Sequence, residues 1–240
     1  MFDHDSIADI HEKELVEYLL AVPYWQSWTF QHFGIPKDLV YRECVPTETV
    51  PGGLPIKSDI DIILCGRGRF EEAVTYQVKL VKVSLAQLRA KTPAKLRELQ
   101  KGVRQANQLA ERGFWKVFLY VVALIDAREL NLFGEDRLLF NEVKGKIASA
   151  VSNTVEGLNS RVGVFDFEFV QTTDDRPTIF NQSGGHLRRQ ATPALQSYEL
   201  TKWVTGTFAS GESKTLETDV ERPDRPELPS DHEPEEVKRS

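Results

Sequence analysis

Apolar and polar positions alternate with period two in two runs of residues 58–83, Asp-Ile-Asp-Ile from Asp59 and Val-Thr-Tyr-Gln-Val-Lys-Leu-Val-Lys-Val from Val74. Such alternation predicts β-strands, and Gly66-Arg67-Gly68-Arg69 between them predicts the turn. The first strand opens on Asp59 and Asp61 and becomes wholly apolar at Ile62-Ile63-Leu64. Side chains at i and i+2 share a strand face, which sets Asp59 beside Asp61 and Gln77 beside Lys79. Paired, the strands gather a carboxylate, an amide oxygen and an ammonium group at one point. Those groups suit a divalent cation and a water held against a phosphate.

Helical spacing governs residues 6–21, where Leu15, Val16, Leu19 and Leu20 make one stripe and Asp5 or Ser6 is the expected cap. Glu12 falls inside that stripe, Glu14 and Glu17 opposite it. A carboxylate on a buried face needs a cation or donors around it, unless Glu12 is a solvated acid favoured by the helix start. Trp25, Trp28, Phe30 and Phe33 read as core filling. Residues 39–44 read as an edge strand, and 47–57 as a loop whose Pro51-Gly52-Gly53 suits a flexible approach to a substrate groove. Helix is predicted over 84–113, interrupted at Thr92-Pro93. The unbroken apolar run within 115–126 predicts a central strand covered on both faces.

Beyond it, 138–155 has helical periodicity and 161–172 alternates as a strand, with Asp166 and Glu168 expected to face solvent. Gly184 to Arg189 reads as a basic loop or surface turn, and 197–204 is ambiguous between states. From Thr205 on, Pro, Glu, Asp and Ser predict disorder. The expected division is one domain over 1–205 and an acidic tail over 206–240.

Charge sharpens this picture. Residues 206–240 hold ten acids and five bases, so nearly all of the net charge of −6 belongs to the tail. Between Lys79 and Lys116 stand ten bases and two acids, a composition suited to phosphate contacts. Lys82, Arg97, Lys101, Arg104 and Gln105 are the candidates there. The plain alternative is a solvated helix face. Cys44 and Cys65 fit reduced thiols, and the longest apolar run, nine residues from Val117 to Ile125, is too short to span a bilayer. A soluble cytoplasmic protein is expected. Five histidines and two cysteines show no zinc spacing, and neither a phosphate-binding glycine loop nor a nucleophile elbow occurs.

An aspartate opening an aliphatic strand, followed sixteen residues later by Gln77-Val78-Lys79, resembles the PD-(D/E)xK nuclease superfamily. The glutamine variant is most similar to its Mrr-like, restriction-endonuclease branch. The resemblance covers roughly residues 6–125. It implies an α/β fold with a restriction-endonuclease-like central mixed sheet flanked by helices. It further implies a metal-dependent endonuclease acting on DNA, with Mg²⁺ or Mn²⁺ on Asp61, Gln77 and Glu12, and Lys79 beside the attacking water. Asp59 and Glu14 are the alternatives to Asp61 and Glu12. Defence against foreign DNA or repair, with a homodimer or a partner defence protein, is what such proteins imply. The competing expectation is a catalytically inactive nuclease-fold module that binds DNA or a partner protein through the basic helix.

Overall fold

The computed structural model describes residues 9–21, 39–55, 59–91, 98–132, 134–172, 182–210 and 213–215. Its elements in chain order are α1 (Glu12–Ala21), β1 (Leu39–Pro46), β2 (Asp59–Gly66), β3 (Arg69–Val83), α2 (Leu85–Arg89), α3 (Glu98–Arg112), β4 (Lys116–Asp126), α4 (Arg137–Glu156), β5 (Val162–Gln171), β6 (Gln182–Arg189), α5 (Tyr198–Ala209) and β7 (Lys214–Thr215). The strands form one mixed sheet in the order β6-β5-β4-β3-β2-β1-β7. Pairing is parallel at β3–β4 and β4–β5 and antiparallel at the other contacts.

The alternation within each strand decides which layer it feeds. Val74, Tyr76, Val78 and Leu80 of β3, with Phe118, Tyr120 and Val122 of β4, pack under Leu15, Val16, Leu19 and Leu20 of α1. The opposite face carries Val81, Val117, Leu119 and Val121, covered by Leu99, Ala106 and Leu109 of α3, Val143 and Ile147 of α4 and Val204 of α5. Helices therefore flank the sheet on both sides, and β3 and β4 are buried on both faces as their composition requires.

β2 and β3 join through a two-residue turn, Arg67-Gly68, where Gly68 supplies a φ of +77° that a residue with a Cβ rarely adopts. Their ladder runs from Gly66↔Arg69 to Ile62↔Tyr76 and ends there. Beyond it β2 stays paired to β1 through Val45↔Ile60 and Pro46↔Asp59, while β3 stays paired to β4 up to Val83↔Ile125. The sheet thus forks between Asp61 and Gln77. Alternation also breaks here, because Ile60 joins the core under α3 while Ile62 joins the core under α1. Opposite the break, Cys44 of β1 has a φ of 52° in the left-handed region. Asp59 and Asp61 therefore do not simply repeat one face.

Several sequence expectations are corrected. α1 begins at Glu12 rather than near residue 6, because His11 N–H is capped by Glu14 Oε2 at 2.7 Å; the expected caps Asp5 and Ser6 lie outside the described residues. So do Trp25, Trp28, Phe30, Phe33, Thr92, Pro93 and Arg97. β1 is not an edge, since β7 covers it. Gly184 to Arg189 belong to an edge strand, β6, held by its ladder with β5. Asp166 and Glu168 are buried, matched by Arg188 (2.6 Å) and Lys144 (2.6 Å).

The expected boundary at residue 205 falls inside α5, which Ser197 caps and which continues to Ala209. Phe208 holds that last turn in the core, stacked on Phe70 at 5.9 Å. Residues 216–240 lie outside the described residues. Cys44 and Cys65 are free thiols. Among the described residues no helix is long and apolar enough to cross a membrane.

Candidate functional site

The fork in the sheet leaves polar backbone in the interior, and a side chain fills the role of the missing strand. Asp61 Oδ2 accepts the N–H of Val78 at 2.7 Å, two residues past the end of the β2–β3 ladder at Tyr76. The same oxygen accepts from Gln77 Nε2. An unpaired backbone donor at that depth would be costly, so the carboxylate has a structural reason to be there. Burial, with Glu12 adding to it, pushes the Asp61 carboxyl up from 3.8 to about 7 against the opposing pull of Lys79 and the Val78 amide.

Gln77 is 1 % exposed, and its Oε1 has no hydrogen-bond partner. Lys79, two residues on, is 5 % exposed. Its stem lies against Gly102 of α3, and its Nζ donates to Glu12 Oε1 at 2.9 Å. Glu12 opens α1, with 37 % of its side chain exposed, so one carboxylate of the pair remains in reach of solvent. The ammonium answers the question raised by an acid in an apolar stripe: Glu12 is on that face because Lys79 is opposite. Asp61, Gln77, Lys79 and Glu12, drawn from β2, β3 and α1, thus meet at the fork.

The alternatives separate on geometry. Asp59 is exposed, whereas Asp61 is tied to β3. Glu14 caps α1, whereas Glu12 meets the lysine.

A divalent cation at this place would find two carboxylates and an amide oxygen, Asp61, Glu12 and Gln77 Oε1. This all-oxygen set suits Mg²⁺ or Mn²⁺. The orphaned Gln77 Oε1 is the observation in favour, because a buried carbonyl oxygen of this kind wants a cation or donor. Among the described residues no group of three or more His, Cys, Asp or Glu side chains is disposed to hold a metal ion. Mg²⁺ characteristically takes only one or two carboxylates and completes its shell with water and phosphate.

The basic run is less uniform than its composition suggests. Lys101 and Arg104 are exposed on α3. Lys82 is half-buried on β3, and Arg97 lies outside the described residues. Gln105 is a correction: it is 5 % exposed, on the inner face of α3 beside Ala106, with Oε1 lacking a partner, and so it is not a surface contact for nucleic acid. Other bases have structural partners. Arg89 pairs with Glu129 at 2.7 Å and Lys91 with Glu142 at 2.8 Å. Arg112 donates to the carbonyls of Gly52, at 2.7 Å, and Gly53. The loop expected to approach a substrate freely is therefore fastened to the end of α3.

At β6, Arg189 donates to the carbonyls of Val162 and Asn159 at 2.7 and 2.8 Å, and Arg188 grips Asp166, so neither points to a substrate. Sequence reasoning missed the close approach of Gly102 to Lys79. A glycine inside a helical pattern was its one visible signal. No protein-family model matches this chain, and no curated protein matches it either.

Proposed function

We propose that the chain is a metal-dependent phosphodiesterase acting on DNA, on a restriction-endonuclease-like sheet, with restriction of foreign DNA as its setting. The observation that carries this reading is the meeting of Asp61, Gln77, Lys79 and Glu12 at one fork. Asp61 and Gln77 Oε1, with Glu12, would hold Mg²⁺ or Mn²⁺. The bound ion would supply a Lewis acid for the scissile phosphate and a more acidic water.

Lys79 provides a positive charge, fixed by Glu12 and by its packing, towards the oxygens on which negative charge grows. Held in place before the reaction, it costs no reorganisation when that charge develops. Asp61, with its raised pKa, is ionised fully only above neutral pH in the absence of metal. Gln77 in place of a carboxylate leaves the site one negative charge poorer, and Glu12 is the residue placed to offset this. Lys101 and Arg104, exposed on α3, would contact backbone phosphates.

The test is plasmid incubation with Mg²⁺ or Mn²⁺, comparing the wild type with Asp61→Ala and Lys79→Ala. Metal-dependent nicking that both variants lose supports the enzyme. A wild type that cuts neither plasmid nor short duplex with either metal defeats it.

A second reading is favoured by the burial of Lys79, whose Nζ is already engaged by Glu12. On it the chain is a non-catalytic module that binds DNA or a partner protein through the exposed bases of α3. Salt-sensitive DNA binding without cleavage is its signature.

A further inference from the structure

Helix α3 comes very close to the sheet at Gly102. A Cβ built there would lie 2.5 Å from Lys79 Cγ, 3.1 Å from Lys79 Cδ and 3.0 Å from Leu119 Cδ1. Real Cβ atoms essentially never approach another heavy atom as closely as the first of these. Gly102 is the fifth residue of a fifteen-residue helix, where glycine is the least favourable choice apart from proline. It is not among the residues of positive φ, so no turn or cap accounts for it. Gly145 inside α4 and Gly206 inside α5 have nothing within 4 Å of an added Cβ.

We propose that Gly102 is a positioning residue for Lys79: its missing side chain lets the α3 backbone press on the lysine stem and hold the ammonium group against Glu12. The stem has four methylenes and many rotamers of similar energy. It passes close beside the backbone of Gly102, where Leu119 also packs, and ends with Nζ 2.9 Å from Glu12 Oε1. A methyl group at 102 either turns the stem or lifts α3. In the first case the ammonium leaves its place; in the second Lys101 and Arg104 move with the helix.

The kinetic part of this inference rests on the proposed hydrolytic role of Lys79, whereas the packing part stands by itself. Its test is Gly102→Ala in two backgrounds, with Gly145→Ala as the control. In the wild type Gly102→Ala lowers Tm by about 2–4 °C. In the Lys79→Ala background the clashing atoms are gone, and Leu119 has only a few tenths of an ångström to yield. There the same substitution raises Tm, as a glycine-to-alanine change inside a helix ordinarily does. Gly145→Ala raises Tm in both backgrounds.

Shifts of equal sign for Gly102→Ala in the two backgrounds overturn the proposal. On a fluorescent DNA duplex, kcat falls about 100-fold in Gly102→Ala while KM holds. A lowered Tm with unchanged kcat, or a loss confined to KM, overturns the positioning role. Should the wild type cleave nothing, the proposed function falls and a different readout decides. The ¹⁵N signal of the Lys79 ammonium, identified by its shift in Glu12→Gln, must move in Gly102→Ala as well, and a stationary signal overturns the inference.

Discussion

Lys79 Nζ stands 2.9 Å from Glu12 Oε1, although Glu12 opens the helix on one face of the sheet and the lysine stem lies under α3 on the other. The fork between β2 and β3 makes that meeting possible, since a continuous ladder would close the gap. The pair ties the first turn of α1 to a lysine whose stem packs under the helix on the other face.

Removing the carboxylate leaves a nearly buried ammonium group without its anion. Glu12→Gln is expected to destabilise the chain by about 1–3 kcal/mol, less than a fully buried pair loses, because Glu12 keeps 37 % of its side chain exposed. The urea midpoint at pH 7 measures this, and an unchanged midpoint would show that the pair holds nothing together.

Asp61 gives the chain an unusual pH dependence. Its folded pKa, about 7, lies above its ordinary 3.8, so between these values the folded chain keeps a proton that the unfolded chain has released. The stabilisation is complete below about pH 4, drains as pH rises, and is gone above about pH 7. Without divalent cations, stability should fall by roughly 2–4 kcal/mol over that window, and Asp61→Asn should flatten the curve. Urea titrations at a series of pH values read it. A wild-type curve as flat as that of the variant refutes the shift.

Metal should act in the opposite direction on the same group. A divalent cation favours the ionised carboxylate, so Mn²⁺ should raise Tm more at pH 8 than at pH 6, and not at all in Asp61→Asn. Equal stabilisation of wild type and variant would place the ion elsewhere.

If α3 faces phosphates, Lys101→Ala combined with Arg104→Ala should lower the slope of log K against log salt for duplex DNA by about 2, with no change in Tm. A slope that does not move would remove α3 from the interface.

Phe208 tests the end of the domain. It is buried beyond the boundary expected from composition and stacks on Phe70. Phe208→Ala should cost about 3 kcal/mol or more, read as a lower urea midpoint with an unchanged slope.

What the sequence discloses follows from how local each cause is. Alternation through Asp59–Gly66 and Arg69–Val83 carries its own periodicity, and the turn between them carries its own glycine, so the hairpin was legible. So was Glu12, because an acid in an apolar stripe implies a cation before the cation is known. Asp166 and Glu168 misled for the converse reason: Arg188 lies 22 residues from Asp166, and Lys144 sits on another element. Without those partners an acid in a strand reads as exposed. β6 was hidden because two glycines and two arginines have little strand preference, and its conformation comes from β5. Arg112 counted only as one base of the run between Lys79 and Lys116, since the carbonyls that occupy it lie 60 and 59 positions away. The break in alternation at Asp61 depends on three strands at once, and no single run of residues records it.

The forked sheet divides into two leaves, β7-β1-β2 and β3-β4-β5-β6, hinged along the stretch where Arg69 to Tyr76 meet their partners on β2. The polar groups lie in the crotch of that hinge. Anything lodged there would be gripped by both leaves and by the first helix at once. Occupancy should therefore slow hydrogen exchange at the Val78 amide, a peptide group guarded by a carboxylate where the leaves part.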